Sequence, residues 1–366
     1  MIKQVKLKDV ATHSKGKQIN GDDLIENGTY DYLNGGINPS GKWNEYNTES
    51  DTVTISEGGN SSGYVNFMMN PFWCGAHCYY LYNLKIQPKY LYYALKSQEK
   101  RLMSLRTGAA MPNIKKSALS EFTFQIDDNS INRNQIVTIL DIVSNIILNK
   151  NQQLSEYDQL IKSRFVEMFG SVKNRVPLVE LCKFINGDRG KNYPSGSDIV
   201  ECGVPFINAG HLEHNKISFE KMNYLTEDKF NMLSSGKVQK NDILYCLRGS
   251  LGKKAIVEIN KGAIASSLLI LRSNIEKILP TFLLHSLDQP YIIEQMNKAN
   301  NGSSQPNLSA QSVKDYVIIL PSIEQQIEFD TFLNQVDKLK FEVKKLNINM
   351  VTLNLYIIYR GKEVVL

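Results

Sequence analysis

The longest apolar pattern in the chain has a helical period, and it occurs twice. Between residues 133 and 169, Leu140, Ile147, Leu154, Ile161 and Met168 fall seven apart, with Ile136, Val143 and Tyr157 on the same face. From residue 323 onward, Phe329, Phe332, Val336, Leu339, Val343, Leu346, Met350, Leu353 and Ile357 step by three and four without a break. That stepping is a coiled-coil seam. No proline interrupts either stretch, and Gly170 and Gly361 stand where C-terminal stops are expected. The first helix would rise on the order of 55 Å at 1.5 Å per residue. A seam needs an apolar partner, and the other helix is the nearest one. Leu140, Ile147, Leu154 and Ile161 are therefore expected to pair with Val336, Leu339, Val343, Leu346 and Leu353.

Ahead of each helix the period shortens to that of strands. Residues 5–10 and 176–181 read as matching amphipathic strands, 51–56 match 242–247, and 78–82 match 267–271. Short helices at 88–97 and 280–287 open with Pro88 and Pro280, where a missing N–H does no harm. The heptapeptide Gly108-Ala109-Ala110-Met111-Pro112-Asn113-Ile114 returns as Gly302-Ser303-Ser304-Gln305-Pro306-Asn307-Leu308, displaced by 194 residues. After each Pro-Asn comes a short apolar strand and then a helix entry, Asn134-Gln135-Ile136 in one copy and Gln325-Gln326-Ile327 in the other. A repeat this long means two copies of one domain, each followed by its own helix. The expected fold is α+β: a first domain over 1–130, a central helix over 131–170, a second domain over 171–322 and a C-terminal helix over 323–366.

Composition fits that picture. The 366 residues are 42% hydrophobic and 22% charged, which is globular, and the length suits two or three domains. The opening Met1-Ile2-Lys3-Gln4-Val5-Lys6 lacks the apolar core of a secretory signal, and no apolar run approaches the roughly 20 residues of a membrane span. The five cysteines are odd in number and scattered, which suits reduced thiols in the cytoplasm. The net charge of +5 is mild and does not by itself imply nucleic acid, which needs a basic face.

Three stretches invite a chemical reading, and each falls short. Asn70-Pro71-Phe72-Trp73 resembles the Asn/Asp-Pro-Pro-aromatic motif of amino-methyltransferases with one proline missing, and no glycine-rich loop upstream would hold S-adenosylmethionine. Gly249-Ser250-Leu251-Gly252-Lys253-Lys254 is too short for a phosphate loop and reads as a basic hairpin loop. Cys74-Gly75-Ala76-His77-Cys78 offers three zinc ligands where a structural site needs four, so buried thiols in a strand are the simpler reading. No nucleophilic triad or nuclease pattern is recognisable, and nothing requires the chain to be an enzyme.

The loops, by contrast, are rich in side chains that read DNA. Asn and Gln pair bidentately with adenine and Arg with guanine, while Lys and Ser suit phosphates. In the first copy the candidates are Asn34, Lys42, Trp43, Asn60, Ser61, Ser62, Arg106 and Asn113; Asn38 belongs to the same set. In the second they are Arg189, Lys191, Asn192, Tyr193, Asn208, His211, Arg248, Lys253, Ser304, Gln305 and Asn307, with His214 and Ser303 beside them. For any single one of these, simple solvation is the competing reading.

The order of domain, helix, domain, helix, with the paired Pro112-Asn113 and Pro306-Asn307 and the entry Leu320-Pro321-Ser322-Ile323-Glu324-Gln325-Gln326-Ile327, resembles the specificity subunit of type I restriction–modification systems. The resemblance covers essentially the whole chain, although the first helix entry lacks the Leu-Pro and Glu of the second. It implies a non-catalytic subunit whose two target-recognition domains each read half of a split double-stranded DNA site. It also implies that the helices pair antiparallel and set the spacer between the half-sites. Two methyltransferase subunits would dock on this frame and use S-adenosylmethionine; restriction subunits would use ATP and magnesium. The chain itself would bind no cofactor and no metal, and would work in a prokaryotic cytoplasm. The loops of the two copies diverge (Asn34-Gly35-Gly36-Ile37 against Asn208-Ala209-Gly210-His211), which implies an asymmetric target. The alternative is a scaffold of two binding domains on a coiled coil that serves protein partners only.

Overall fold

The computed structural model describes residues 2–108, 111–300 and 306–360, without the side chains of Lys191 and of 348–360. The chain forms two compact units, 1–153 with 342–366, and 154–341. The division falls inside both long helices, rather than at their ends as the sequence suggests.

In the first unit, Ile2–Lys6 pairs antiparallel with Thr123–Asp127. The expected strand over 5–10 stops at Lys6 and turns into the helix Leu7–Val10. The turn is local chemistry: the Asp9 carboxylate accepts the Lys6 N–H at 3.0 Å. Four antiparallel strands follow in the order Thr12–Lys15, Cys78–Tyr82, Thr52–Ser56, Val65–Met68. A three-stranded sheet places Tyr30–Leu33 between Gly41–Trp43 and, in parallel, Phe72–Cys74. The helix Pro88–Ser97 lies on the four-stranded sheet and buries Leu91 and Leu95 against Val53, Ile55 and Val65.

The second unit repeats this plan. Arg175–Pro177 pairs with Val317–Ile319, and a four-stranded sheet runs Cys182–Asn186, Leu268–Ser273, Ile243–Cys246, Lys254–Ile256. A second sheet again ends in a parallel pair, Val204–Ile207 beside Ala263–Ile264. The 194-residue echo in sequence is thus a repeat of topology: the shared strands keep their order, while Ile199–Val200 adds an edge strand, Leu212–Glu213 pairs with Lys216–Ile217 as an extra hairpin, and the loops change.

The central helix is continuous over Ser130–Phe169, three residues earlier than its apolar period suggests. Asn129 makes the early start, because its Oδ1 accepts the Ile131 N–H at 2.9 Å. The other long helix is Ile323–Arg360. The two helix entries match two residues away from the sequence alignment. Fully buried Gln326 donates to the carbonyls of Pro321 and Lys277 and accepts from Leu279 N–H at 2.8 Å. In the first unit Arg133 takes that role, donating to Asp127 O at 2.9 Å, while Gln135 is exposed.

The expected seam needs correction. Leu140 is buried, but with Val137 it packs into the core of the first domain. Ile161 packs with Phe165 and Phe169 into the core of the second, where Phe329, Leu333 and Val336 join them. Ile147 and Leu154 are half-buried and Val343 is buried. Leu339 and Leu346 face solvent, 51% and 45% exposed, and Leu353 lies outside the described side chains. The covered stripe of the C-terminal helix runs through buried 329, 333, 336 and 343 and half-buried 340 and 347, so 333, 340 and 347 replace the expected 332, 339 and 346. Two polar contacts turn the helix this way. Lys340 reaches Asp158 at 2.5 Å, and Asn347 Nδ2 donates to Asn151 Oδ1 at 2.6 Å. With Arg164 on Glu328 at 3.1 Å, these pairings show the helices running antiparallel. A lysine stem covers apolar surface while its ammonium finds a carboxylate, and a polar residue in a seam sets register more sharply than another leucine would.

Candidate nucleic-acid interface

In both units one glycine loop closes on the repeated Pro-Asn turn, through the same main-chain bonds. Gly59 N–H donates to Pro112 O at 2.9 Å, and Gly249 N–H to Pro306 O at 3.2 Å. Ile114 N–H donates to Glu57 O at 2.9 Å, and Leu308 N–H to Leu247 O at 2.8 Å. Gly58 bridges Asn113, and Arg248 bridges Asn307. Gly59 and Gly249 carry φ of 75° and 79°, a left-handed conformation that a side chain would strain. The repeat therefore encodes a platform: strand end, glycine loop and Pro-Asn turn knitted by backbone.

The chemistry on the two platforms differs. In the first, hydroxyls and a guanidinium are spent inside the loop. Ser62 Oγ donates to Pro112 O at 2.9 Å, Ser61 Oγ to Gly35 O at 2.6 Å, and Arg106 to Ser62 O at 2.8 Å and Asn60 O at 3.1 Å. In the second, Arg248 and Lys253 are exposed, while the next lysine, Lys254, is buried and paired with Asp288. Beneath the Lys254 pair, burial pushes His285 down to about 4, the nearby Asp288 and Asp337 opposing and Lys254 and Lys340 assisting.

The predicted readers accordingly separate into two sets. Lys42, Asn60, Asn113, Arg189, Arg248, Lys253 and Asn307 are exposed, and Trp43 is half-buried with its edge on Trp73. Others are turned inward. Ser62 is fully buried. Asn34 accepts the His77 N–H and donates to Gln18. Asn208 caps its own turn by accepting Gly210 N–H at 2.8 Å. Buried His211 has both ring nitrogens on backbone, Nδ1 accepting Asn208 N–H and Nε2 facing Lys221 O. Tyr193 and Asn192 are half-buried, the Tyr193 ring lying edge-on to Phe206. These side chains build loops, and polarity alone could not separate builders from readers. Ser304, Gln305 and the Lys191 side chain lie outside the described residues.

One support escapes a sequence reading, and a second is read only in part. Asp188, beside Arg189, is 6% exposed and accepts Ser234 N–H at 2.6 Å, Ser234 Oγ at 2.9 Å and Arg189 N–H at 2.7 Å. Burial alone would raise its carboxyl, yet these bonds leave it below the ordinary value. Its signal in sequence is only Gly187-Asp188, where a glycine is needed because a Cβ would meet Ala265 O at 2.6 Å. The other support is the 74–78 stretch. It is a turn between two strands rather than one strand, with Cys74 and Cys78 buried and His77 on the turn. A hydrogen bond to Cys78, with burial, holds the Cys74 thiol well above its usual range. Among the described residues no group of three His, Cys, Asp or Glu could hold a metal, and no helix is long and apolar enough to cross a membrane.

Comparison with known proteins agrees with the doubled plan. The family model for the type I restriction modification DNA specificity domain matches residues 2–156 and 173–352. A putative type I specificity subunit of Mycoplasma pneumoniae is 42% identical over 110 residues, 29% of each chain. One from Mycoplasma genitalium is 27% identical over 212 residues, 54% of this chain and 55% of that protein. The type I restriction enzyme MjaVIII specificity subunit of Methanocaldococcus jannaschii is 25% identical over 277 residues, 70% of this chain and 64% of that protein. The aligned stretches thus span less than two thirds of each of these relatives. In fold, the chain resembles the crystal structure of the S subunit from M. genitalium, with a TM-score of 0.62 at 22% identity over 99% of this chain and 96% of that one. A chain from a study of complex assembly in the type I R-M system gives 0.57 at 14% identity, over 98% and 97%. With a family match over both halves, and the same loop closed on the same turn in each, this chain belongs to the type I restriction–modification DNA specificity family.

Proposed function

We propose that this protein is the DNA sequence-recognition subunit of a type I restriction–modification complex and reads an asymmetric, split target in duplex DNA. The observation that carries this is the pair of platforms: one backbone frame, twice, with different side chains exposed on each. A kept frame with changed loops is what two readers of two different half-sites need. Arg248, Lys253 and Asn307 on one platform, and Lys42, Asn60 and Asn113 among the first domain's loops, supply donors of the kind that meet guanine, adenine and phosphates.

The long helices have the part of a spacer. The central helix has 40 residues and so rises on the order of 60 Å. One DNA turn is about 34–36 Å, so a rod of this kind can fix both the distance and the phase of two half-sites. The partners in this reading are two methyltransferase subunits and the restriction subunits, in a prokaryotic cytoplasm. S-adenosylmethionine and ATP with magnesium would belong to those partners and their chemistry, and the specificity chain itself would be non-catalytic. The family match favours this over a scaffold for proteins alone.

The test is to co-express the chain with its adenine methyltransferase partner and sequence the methylated genome. A bipartite, non-palindromic motif is expected, together with duplex binding that weakens as salt rises. A continuous or palindromic motif would count against two different readers.

A further inference from the structure

The inference rests on the DNA-recognition reading and concerns a residue whose only sequence signal was a failed zinc motif. We propose that His77 reads a base in the first half-site, its Nε2 accepting a hydrogen bond from the exocyclic amino group of an adenine or cytosine in the major groove.

His77 stands on the turn between Phe72–Cys74 and Cys78–Tyr82, beside the glycine loop of the first platform. Its backbone is pinned on both sides: its N–H donates to Asn34 Oδ1 at 3.2 Å, and its carbonyl accepts Glu57 N–H at 2.8 Å. Gly35 makes room for that carbonyl, since a Cβ there would lie 2.3 Å from the His77 oxygen. The ring is oriented as well. Nδ1 lies 3.3 Å from Glu57 Oε2, whose side chain is 11% exposed, and Glu57 Oε1 takes Lys15 Nζ at 2.7 Å.

A carboxylate oxygen only accepts, so the proton of this contact sits on Nδ1. In the neutral ring Nε2 is then an acceptor. The side chain is 58% exposed, and among the described residues Nε2 meets no partner. The ring belongs to no apolar cluster and makes no ring contact there. A residue pinned twice through its backbone and once through its ring, with Nε2 unpartnered among the described residues, is a prepared hydrogen-bonding group. An acceptor in the major groove selects adenine N6 or cytosine N4, the two bases that present an amino donor.

On the second platform Ser267 stands at the place of His77, its carbonyl accepting Leu247 N–H at 2.9 Å. Leu247 occupies the place of Glu57 and Arg248 that of Gly58, as the shared bonds to the Pro-Asn turn show. One head therefore offers a ring oriented by a carboxylate where the other offers a serine hydroxyl near an exposed arginine, a difference of chemistry that makes the two half-sites unlike.

The experiment uses the complex with its methyltransferase and reads the methylated motif by genome sequencing. H77A is expected to relax one A- or C-selecting position in one half-site, with methylation at other bases rising about ten- to a hundredfold and the other half-site unchanged. E57Q supplies an amide that can donate to Nδ1, which moves the ring proton to Nε2. Preference at the same position should then shift towards guanine or thymine. A structural role alone would alter melting or assembly without a base-specific change. If both variants assemble and keep the parental motif, the assignment to His77 is overturned while the recognition reading stands. A wild-type complex with no split motif would overturn both.

Discussion

The two recognition domains close the same loop on the same turn, but the first spends three polar side chains on its loop while the second leaves Arg248 and Lys253 exposed. In the first, Ser61, Ser62 and Arg106 bond carbonyls within the fold. In the second, among the described residues, the backbone bridge is joined by the Cys246 thiol on Arg248 O at 3.1 Å, and Arg248 and Lys253 face outward. Their helix contacts differ too. The first domain meets the central helix through Val137, Leu140 and a Tyr93–Asp141 hydrogen bond of 2.6 Å. The second meets it through a stack in which Phe165 lies 5.5 Å from both Phe282 and Phe329, and Phe169 lies 5.1 Å and 5.5 Å from the same two rings. One ancestral plan can thus be stabilised in different ways while the frame that places the reading loop stays constant.

The largest expected effect tests the aromatic half of this contrast. Phe329→Ala should destabilise the second unit by about 3–5 kcal/mol, and thermal melting with domain-resolved hydrogen exchange should show the loss there and not in the first unit. An equal loss in both would break the comparison. Next comes pH. His285 is held down to about 4 by burial, against an ordinary 6.5, so the folded second unit favours the neutral ring. Its contribution is present above pH 6.5 and is lost as pH falls from 6.5 towards 4, amounting to no more than about 3 kcal/mol at 1.36 per unit. His285→Gln should flatten that part of the acid melting profile, and a slope that survives would assign it elsewhere.

Arg106→Ala removes charged donors from two loop carbonyls and should loosen the first loop by about 1.5–3 kcal/mol. Exchange of the 58–63 amides reports it, and discrimination should weaken at the first half-site alone. The smallest effect is expected on the second platform. Arg248→Ala or Lys253→Ala should leave melting unchanged. Each should reduce the slope of log affinity against log salt by about one if its contact is to phosphate. A fall in stability instead would mean that the exposed side chains also build the loop.

Some of this was readable from residue order. The 194-residue echo of Pro112-Asn113 in Pro306-Asn307 reported a doubled frame, because glycine and proline turns have strict backbone demands that leave a mark in sequence. The long helices were legible for the same reason: 3–4 apolar spacing over many turns has few other solutions. The site was legible only in outline. Ser62 and Arg248 are both polar loop residues, and only the fold shows that one is buried and the other exposed. The helix seam was misread by one position at Leu339 and Leu346, since a heptad count cannot see that Asp158 and Asn151 wait for Lys340 and Asn347.

The sequence by itself therefore determined the periodic features, namely two copies, two long helices and the turns between strands, because local backbone preference and apolar spacing act over a few residues at a time. Tertiary structure alone decided which polar side chains build loops and which are left to read. It also decided which helix face is covered and which nitrogen of His77 is free. Each of those depends on a partner distant in the chain, often a single carboxylate or carbonyl, whose position no local pattern records.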